Sequence, residues 1–302
     1  MTTQPRSAAL AGIGLMLAGV FLFSLNDAVG KWLVATYSVG QLLLIRSGTT
    51  LVLLSPFIWR AGMAAYRSAP RPGLQILRVL LSSLEVAMFF WAVAYLPLAD
   101  AVTFYLAGPI YVTAFSVLLL GERVGWRRWT AVLAGFCGVV IALRPSAASF
   151  TLPALIALCG SVFYALLLIV TRMVRETNDT VLMTTQFAGS FAFGALTAPF
   201  GWVTPTAYDL AFLSGFGVVS IAALFCINRS LKLSDASVVV PYQYSLILWS
   251  VLLGWQVFGE LPDGYTLTGA VIIVGAGLYL FWREQVASRE ASFAPTPRPE
   301  AP

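Results

Sequence analysis

Charged residues set inside apolar runs are the positions where this sequence can do chemistry. Glu85 lies about eleven residues into the run 74–96, near the middle of a segment long enough to cross a bilayer. An acidic group at that depth costs roughly 2.5 kcal/mol or more on insertion scales, and by default it serves a substrate, an ion or a proton. Arg78, Ser82, Glu85 and Phe89 follow i, i+4, i+7, i+11 spacing and share one helix face. If that face meets a cavity, Glu85 binds a proton or the cationic part of a substrate. If it meets another helix, a protonated or hydrogen-bonded Glu85 ties the two together.

Asp27, Lys31 and Arg46 form a second constellation. Asp27 and Lys31 are an i, i+4 pair in acid-first order, which suits an ion pair on one helix, and Ser24 continues their face. Arg46 falls early in the next apolar run, so a short turn brings it to a similar depth. A guanidinium fork holds a carboxylate through two parallel bonds, which suits an anionic or zwitterionic substrate. The competing reading is a closed Asp27–Arg46 or Asp27–Lys31 bridge between helices, with Lys31 also free to snorkel to the outer interface.

Aromatic and amide groups complete the candidates. Tyr105, Tyr111, Tyr164, Tyr242, Gln243 and Trp249 all lie in apolar runs, and Asn228 is a polar group in a costly position. Any one of them packs a helix or sits in an interfacial belt as readily as it touches a ligand. As a set they suggest a cavity with polar groups and stacking surfaces.

The elements that must position these residues follow from composition. The 302 residues are 59% hydrophobic and only 10% charged, far from the soluble average of about a quarter charged. Apolar runs of spanning length recur about ten times, roughly at 8–33, 41–59, 74–96, 99–120, 127–144, 152–172, 181–200, 208–229, 236–258 and 266–283. The fold class is therefore an all-α membrane protein with ten transmembrane helices, embedded in a lipid bilayer. With the N-terminus inside, 15 of the 18 Lys and Arg residues fall on the inner side, leaving Lys31, Arg46 and Arg144 outside or near the outer face. Both termini are then cytoplasmic. With no organelle-targeting segment, the expected location is the cell membrane, a bacterial inner membrane.

The chain also repeats itself. Leu98 to Pro145 reads as an apolar run, a stop at Gly121-Glu122, a basic loop and a second run; a looser copy spans Leu233 to Glu284, with its stop at Gly259-Glu260. Pro56-Phe57-Ile58-Trp59 matches Pro199-Phe200-Gly201-Trp202, and Gly19 and Lys31 match Gly160 and Arg172. The repeats are 1–145 and 146–286, followed by a proline-rich cytoplasmic tail over 287–302 that reads as disordered. Five spans per repeat is an odd number, so the second copy inserts upside down. Inverted five-helix repeats are characteristic of secondary transporters.

Pro109 and Pro241 each remove a backbone bond inside a span and mark bending points or static kinks. Counting back from Glu260 puts Ile247 opposite Pro109, so the halves need not bend alike. Ala134, Gly135 and Gly138, with Gly269, Gly275 and Gly277, allow close helix contact inside each half. Cys137, Cys159 and Cys226 have neither disulfide nor metal-ligand spacing and read as small packing residues.

Leu98-Ala99-Asp100-Ala101, then Pro109, Gly121-Glu122-Arg123 and the glycines beyond resemble the EamA-type module of the drug/metabolite transporter superfamily. Pro241-Tyr242-Gln243-Tyr244, Phe258-Gly259-Glu260, Pro262-Asp263 and Gly277-Leu278-Tyr279 resemble its second module. The resemblance covers nearly the whole chain and implies ten helices around a central cavity. It is far less specific about substrate, since relatives carry amino acids, vitamins, nucleotide-related metabolites and drugs.

The expected function is secondary-active transport of a small organic metabolite by alternating access, coupled to protons or to exchange. An amino-acid-like or zwitterionic compound is favoured, and a broad exporter of lipophilic cations is the alternative. A membrane-embedded enzyme or sensor is least favoured: there is no His, no P-loop, no paired catalytic Asp and no acid–base–nucleophile set. No cofactor, metal or nucleic acid is expected.

Overall fold

The computed structural model describes residues 6–120, 126–143, 151–174, 176–233 and 240–293, and all of its regular elements are helical. They are α1 (Arg6–Val34), α2 (Val39–Arg67), α3 (Pro72–Val93), α4 (Leu98–Leu106), α5 (Gly108–Leu120), α6 (Trp126–Leu143), α7 (Leu152–Met173), α8 (Asp179–Thr197) and α9 (Ala207–Leu233). A 3-10 helix (Val240–Ser245) leads into α10 (Leu246–Phe258), and α11 (Gly264–Phe293) ends the described chain. Among the described residues, six spans are long and apolar enough to cross a membrane: 10–34, 39–67, 72–93, 98–119 (α4 and α5 together), 152–171 and 207–227. The loop motif Gly121-Glu122-Arg123 and the side chain of Arg172 lie outside the described residues.

The expected exit of the second span at Trp59 is overrun, because α2 continues to Arg67. Pro56 lacks the N–H that would bond Val52 O, and the Ser55 hydroxyl donates to that carbonyl instead at 2.7 Å. The chain bends afterwards at Gly62, whose φ of 71° lies in the left-handed region that glycine occupies without a Cβ clash. The last helix also outruns expectation. Residues 287–293 belong to the segment expected to be disordered, yet α11 continues through them. That heptad is ASREASF, and the prolines begin only at Pro295.

Helices pair across the two halves of the chain. α1 packs on α9, α2 on α8, α3 on α7 and α6 on α11, with α4 against α10. Matching α1, α2, α3, α4–α5 and α6 in order with α7, α8, α9, the 3-10–α10 unit and α11 maps this set of pairs onto itself. Glycines permit the approach. A Cβ on Gly194 of α8 would meet Leu44 N at 2.5 Å and Gly40 O at 2.8 Å, both backbone atoms of α2. Gly138 of α6 lies against the Gly269 carbonyl of α11 and Gly269 against the Gly138 carbonyl. Those two glycines, expected to pack inside each half, join the halves instead. Gly135 against Ile110 and Gly277 against Tyr244 do serve their own halves, while Gly275 meets nothing within 4 Å. Cys137 and Cys159 are exposed on the helical surface, not packed as expected.

Both broken spans break at equivalent places. α4 gives way to α5 at Ala107, and the 3-10 helix gives way to α10 at Ser245. The α5 and α10 starts, Gly108 and Leu246, stand 138 residues apart, the offset that also relates Glu122 to Glu260. The breaks therefore fall in register although only the first has a proline there. Pro109 sits in the first turn of α5, where its missing N–H costs nothing, and Ser245 enters α10 from a 3-10 turn.

Candidate functional site

Asp27 on α1, Arg46 on α2 and Glu85 on α3 come together, with Arg46 near enough to both carboxyl groups to feel their charge. Two groups read separately in the sequence thus form one cluster. Each of the three lies deep among protein atoms yet is only half-buried. None of their charged ends hydrogen-bonds or ion-pairs with another described residue, and no carboxyl oxygen among them is sealed off. The closed Asp27–Arg46 and Asp27–Lys31 bridges are absent among the described residues. Three ionisable groups with open polar ends inside a bundle are a candidate for contact with a ligand or water.

Arg46 is held by rings, not by a carboxylate. Its guanidinium carbon lies 4.9 Å from the Phe216 centroid and 5.8 Å from that of Phe90. A desolvated cation over aromatic faces gains about 2 kcal/mol, which offsets part of its insertion cost. Its Nε is enclosed without an acceptor among the described residues, whereas its terminal nitrogens are not sealed. Gly217 of α9 lets that helix approach the Arg46 carbonyl, bringing the second half of the chain against the cluster.

An aromatic series borders the cluster. Phe216, Phe90, Phe89, Tyr105 and Tyr164 follow one another with ring centroids 5.5, 5.2, 5.1 and 6.1 Å apart. Tyr105 donates to the Glu85 backbone carbonyl at 3.3 Å, and both Tyr105 and Tyr164 feel the Glu85 charge. Reciprocal glycines seat the two tyrosines: Gly160 of α7 leaves room for the Tyr105 hydroxyl, and Gly108 at the α4–α5 break leaves room for the Tyr164 ring.

Other sequence candidates fall elsewhere. Lys31 is committed to Glu260, with Nζ to Oε2 at 2.6 Å and to Oε1 at 2.8 Å. It donates as well to Leu96 O at 2.7 Å and lies over the Phe258 ring at 5.1 Å. Glu260 also accepts from Leu98 N at 3.4 Å, so it joins the end of α1, the start of α4 and the end of α10. Its Gly-Glu motif was legible as a helix terminator, and Gly259 does end α10 with φ 68°. The partner, 229 residues away, was not.

Arg78, placed with Glu85 by spacing, binds Thr171 Oγ1, Leu182 O and Gln186 Oε1 and so clamps α3 to α7 and α8. Ser24 reaches Ser250 Oγ at 3.3 Å across to α10. Tyr111 is buried and edge-on to Phe136. Trp249 packs edge-on to Phe21 beside Met16 and Val20. Tyr242 and Gln243 are exposed on the 3-10 turn. The Asn228 side chain lies outside the described residues. Among the described residues no three His, Cys, Asp or Glu side chains group as a metal site would need.

Comparison with known proteins extends over nearly the whole chain. The S-adenosylmethionine uptake transporter of Rickettsia bellii (strain RML369-C) is 28% identical over 278 residues, covering 91% of this chain and 95% of its own. The riboflavin transporter of Vibrio cholerae serotype O1 is 28% identical, covering 94% and 98%. The pseudopaline exporter CntI of Pseudomonas aeruginosa (strain UCBPP-PA14) is 27% identical, covering 89% and 95%. One crystal structure, 18% identical, superposes with a TM-score of 0.61 over 94% of this chain and 98% of its own, which shows the fold. The family model for EamA-like transporters matches residues 10–144 and 151–282. These matches and the apolar spans make the chain a multi-pass membrane transporter of small molecules, not an enzyme, in the bacterial inner membrane. The chain belongs to the EamA-like transporter family.

Proposed function

We propose that the protein is a ten-helix secondary carrier, with both termini cytoplasmic, that moves an amino-acid-like or other zwitterionic metabolite by alternating access. The observation that carries this reading is the unpaired Asp27–Arg46–Glu85 cluster, enclosed where helices of both halves meet. Arg46 receives the substrate carboxylate on its open terminal nitrogens. Asp27 and Glu85 receive its ammonium group, and Glu85 takes a proton when the substrate leaves. Tyr105 and Tyr164 offer faces to an apolar or planar portion. A relative for S-adenosylmethionine and one for pseudopaline support a metabolite with both signs of charge, and a riboflavin relative supports aromatic contacts.

The helix pairing supports inverted repeats over 1–145 and 146–286, since exchange of halves preserves every dominant pair. The matched breaks at Ala107 and Ser245 support the motion: discontinuous helices border the substrate site in carriers of this kind. Lys31–Glu260 then closes the outer face of the bundle. Reconstitution in liposomes with an imposed pH gradient, against a panel of labelled amino acids and zwitterionic conjugates, tests the reading. Glu85→Gln is expected to slow uptake and flatten its pH dependence. Unchanged rate and pH dependence would remove Glu85 from the mechanism.

Export of lipophilic cations is the second reading, favoured by two carboxyl groups beside an aromatic series. Inhibition by hydrophobic amines, with none by amino acids, would select it.

A further inference from the structure

Two carboxyl groups, Asp27 and Glu85, lie near enough to the one Arg46 guanidinium to feel its charge, and that guanidinium is itself seated over the Phe216 and Phe90 rings. A substrate carboxylate on Arg46 uses that single positive charge. The substrate's α-ammonium group then matches one protein carboxylate and leaves the other without a counter-charge. Two carboxylates sharing a low-dielectric site do not both stay ionised unless each is compensated.

Among the described residues, the other buried cations of these helices are committed elsewhere, while Arg60 and Arg67 of α2 are exposed. Lys31 is bonded to Glu260 and Leu96 O. Arg78 spends Nε, Nη1 and Nη2 on Thr171, Leu182 O and Gln186. The remaining titratable groups facing the cluster, Tyr105 on α4 and Tyr164 on α7, supply no positive charge. What they supply is aromatic rings, and Phe89 packs edge-on to Tyr105 with centroids 5.1 Å apart. A carboxylate beside several ring faces suits an onium group, whose diffuse charge is attracted by aromatic quadrupoles.

Resting on the carrier reading above, we infer that the preferred substrate is an α-amino acid bearing a second, fixed positive centre, held by Glu85 and the Tyr105–Tyr164 faces. A neutral zwitterion lacks that centre and leaves one carboxyl group to be neutralised by a proton.

L-methionine and S-methyl-L-methionine test this, because they share a skeleton and differ by one methyl group and a permanent sulfonium charge. Binding is measured by thermal stabilisation of the purified protein, and uptake of each labelled compound is followed in proteoliposomes. The sulfonium compound is expected to win by about tenfold or more, the worth of one charge-assisted contact. Glu85→Gln is expected to bring the ratio near one, with Asp27→Asn as a second variant if the first fails to fold. Equal handling of the two compounds by the unmodified protein, a preference that survives both variants, or binding of neither compound would overturn the inference. The carrier reading falls separately, if no metabolite in the wider panel shows flux at all.

Discussion

Replacing Glu260 by Gln should loosen the face of the bundle that holds Lys31. Lys31 is buried and makes three short bonds, two of them to the Glu260 carboxylate, whose side chain is 32% exposed. Gln keeps one carbonyl acceptor and removes the charge. A charge-assisted bond contributes about 1.5–3 kcal/mol, and partial exposure of Glu260 lowers that to about 1–2 kcal/mol. The link joins the first half to the second, so under the proposed alternating access the loss falls on the equilibrium between closed and open forms of that face, a shift of roughly 5- to 30-fold. Spin labels at Thr36 and Leu261, both exposed beside the link, in a background lacking Cys137, Cys159 and Cys226, would report it as a gain in the longer distance. Lys31→Glu combined with Glu260→Lys should recover only part of the closed population, because the exchanged carboxylate would face the Leu96 carbonyl, which now accepts from Lys31. An unchanged distance distribution in Glu260→Gln would refute the reasoning.

Three further outcomes follow from the packing, and one from a titrating hydroxyl. Gly194→Ala sets a Cβ against backbone atoms of α2 that cannot rotate away, so the detergent-solubilised protein should lose about 1–3 kcal/mol in thermal unfolding. Gly14→Ala meets nothing within 4 Å in the middle of α1 and should be neutral or stabilising by up to about 1 kcal/mol. Arg78→Gln strips a clamp of three bonds and should lower the melting temperature while leaving substrate affinity unchanged in whatever protein folds. Tyr37, in the α1–α2 turn, donates to Asp209 at 2.7 Å, and that bond, with burial, raises its pKa above the ordinary 10.0. A raised folded pKa means the contribution is complete below about pH 10 and is lost as pH climbs through the folded value. The melting temperature of the unmodified protein should therefore fall more steeply above pH 10 than that of Tyr37→Phe.

Much of the scaffold was legible because the bilayer imposes a length and a composition on every span. The placement of Glu85, Asp27 and Arg46 inside helices of the bundle was legible as well, since an ionisable group in an apolar run stands out. Their meeting was not, because periodicity places residues on one helix face and says nothing of which helices face each other. Lys31 illustrates the limit: its local partner at i−4, Asp27, was visible, and the stronger partner, Glu260, lies in the other half of the chain. Gly138 and Gly269 show the same limit, small residues whose value depends on a helix met only after folding. Pro241 did mark the irregular segment of the second half, since it falls in the 3-10 helix. The match in register between Ser245 and Ala107 was not legible, because the second half has no proline at the equivalent of Pro109.

Counterflow in proteoliposomes tests most directly whether the Asp27–Arg46–Glu85 cluster is the transport site. Vesicles preloaded with an unlabelled amino-acid-like metabolite should accumulate the labelled form transiently through the unmodified protein. Arg46→Gln, folded and inserted to the same level, should lose that accumulation because the substrate carboxylate has no fork to bind. Counterflow at an unchanged rate in Arg46→Gln would contradict the account.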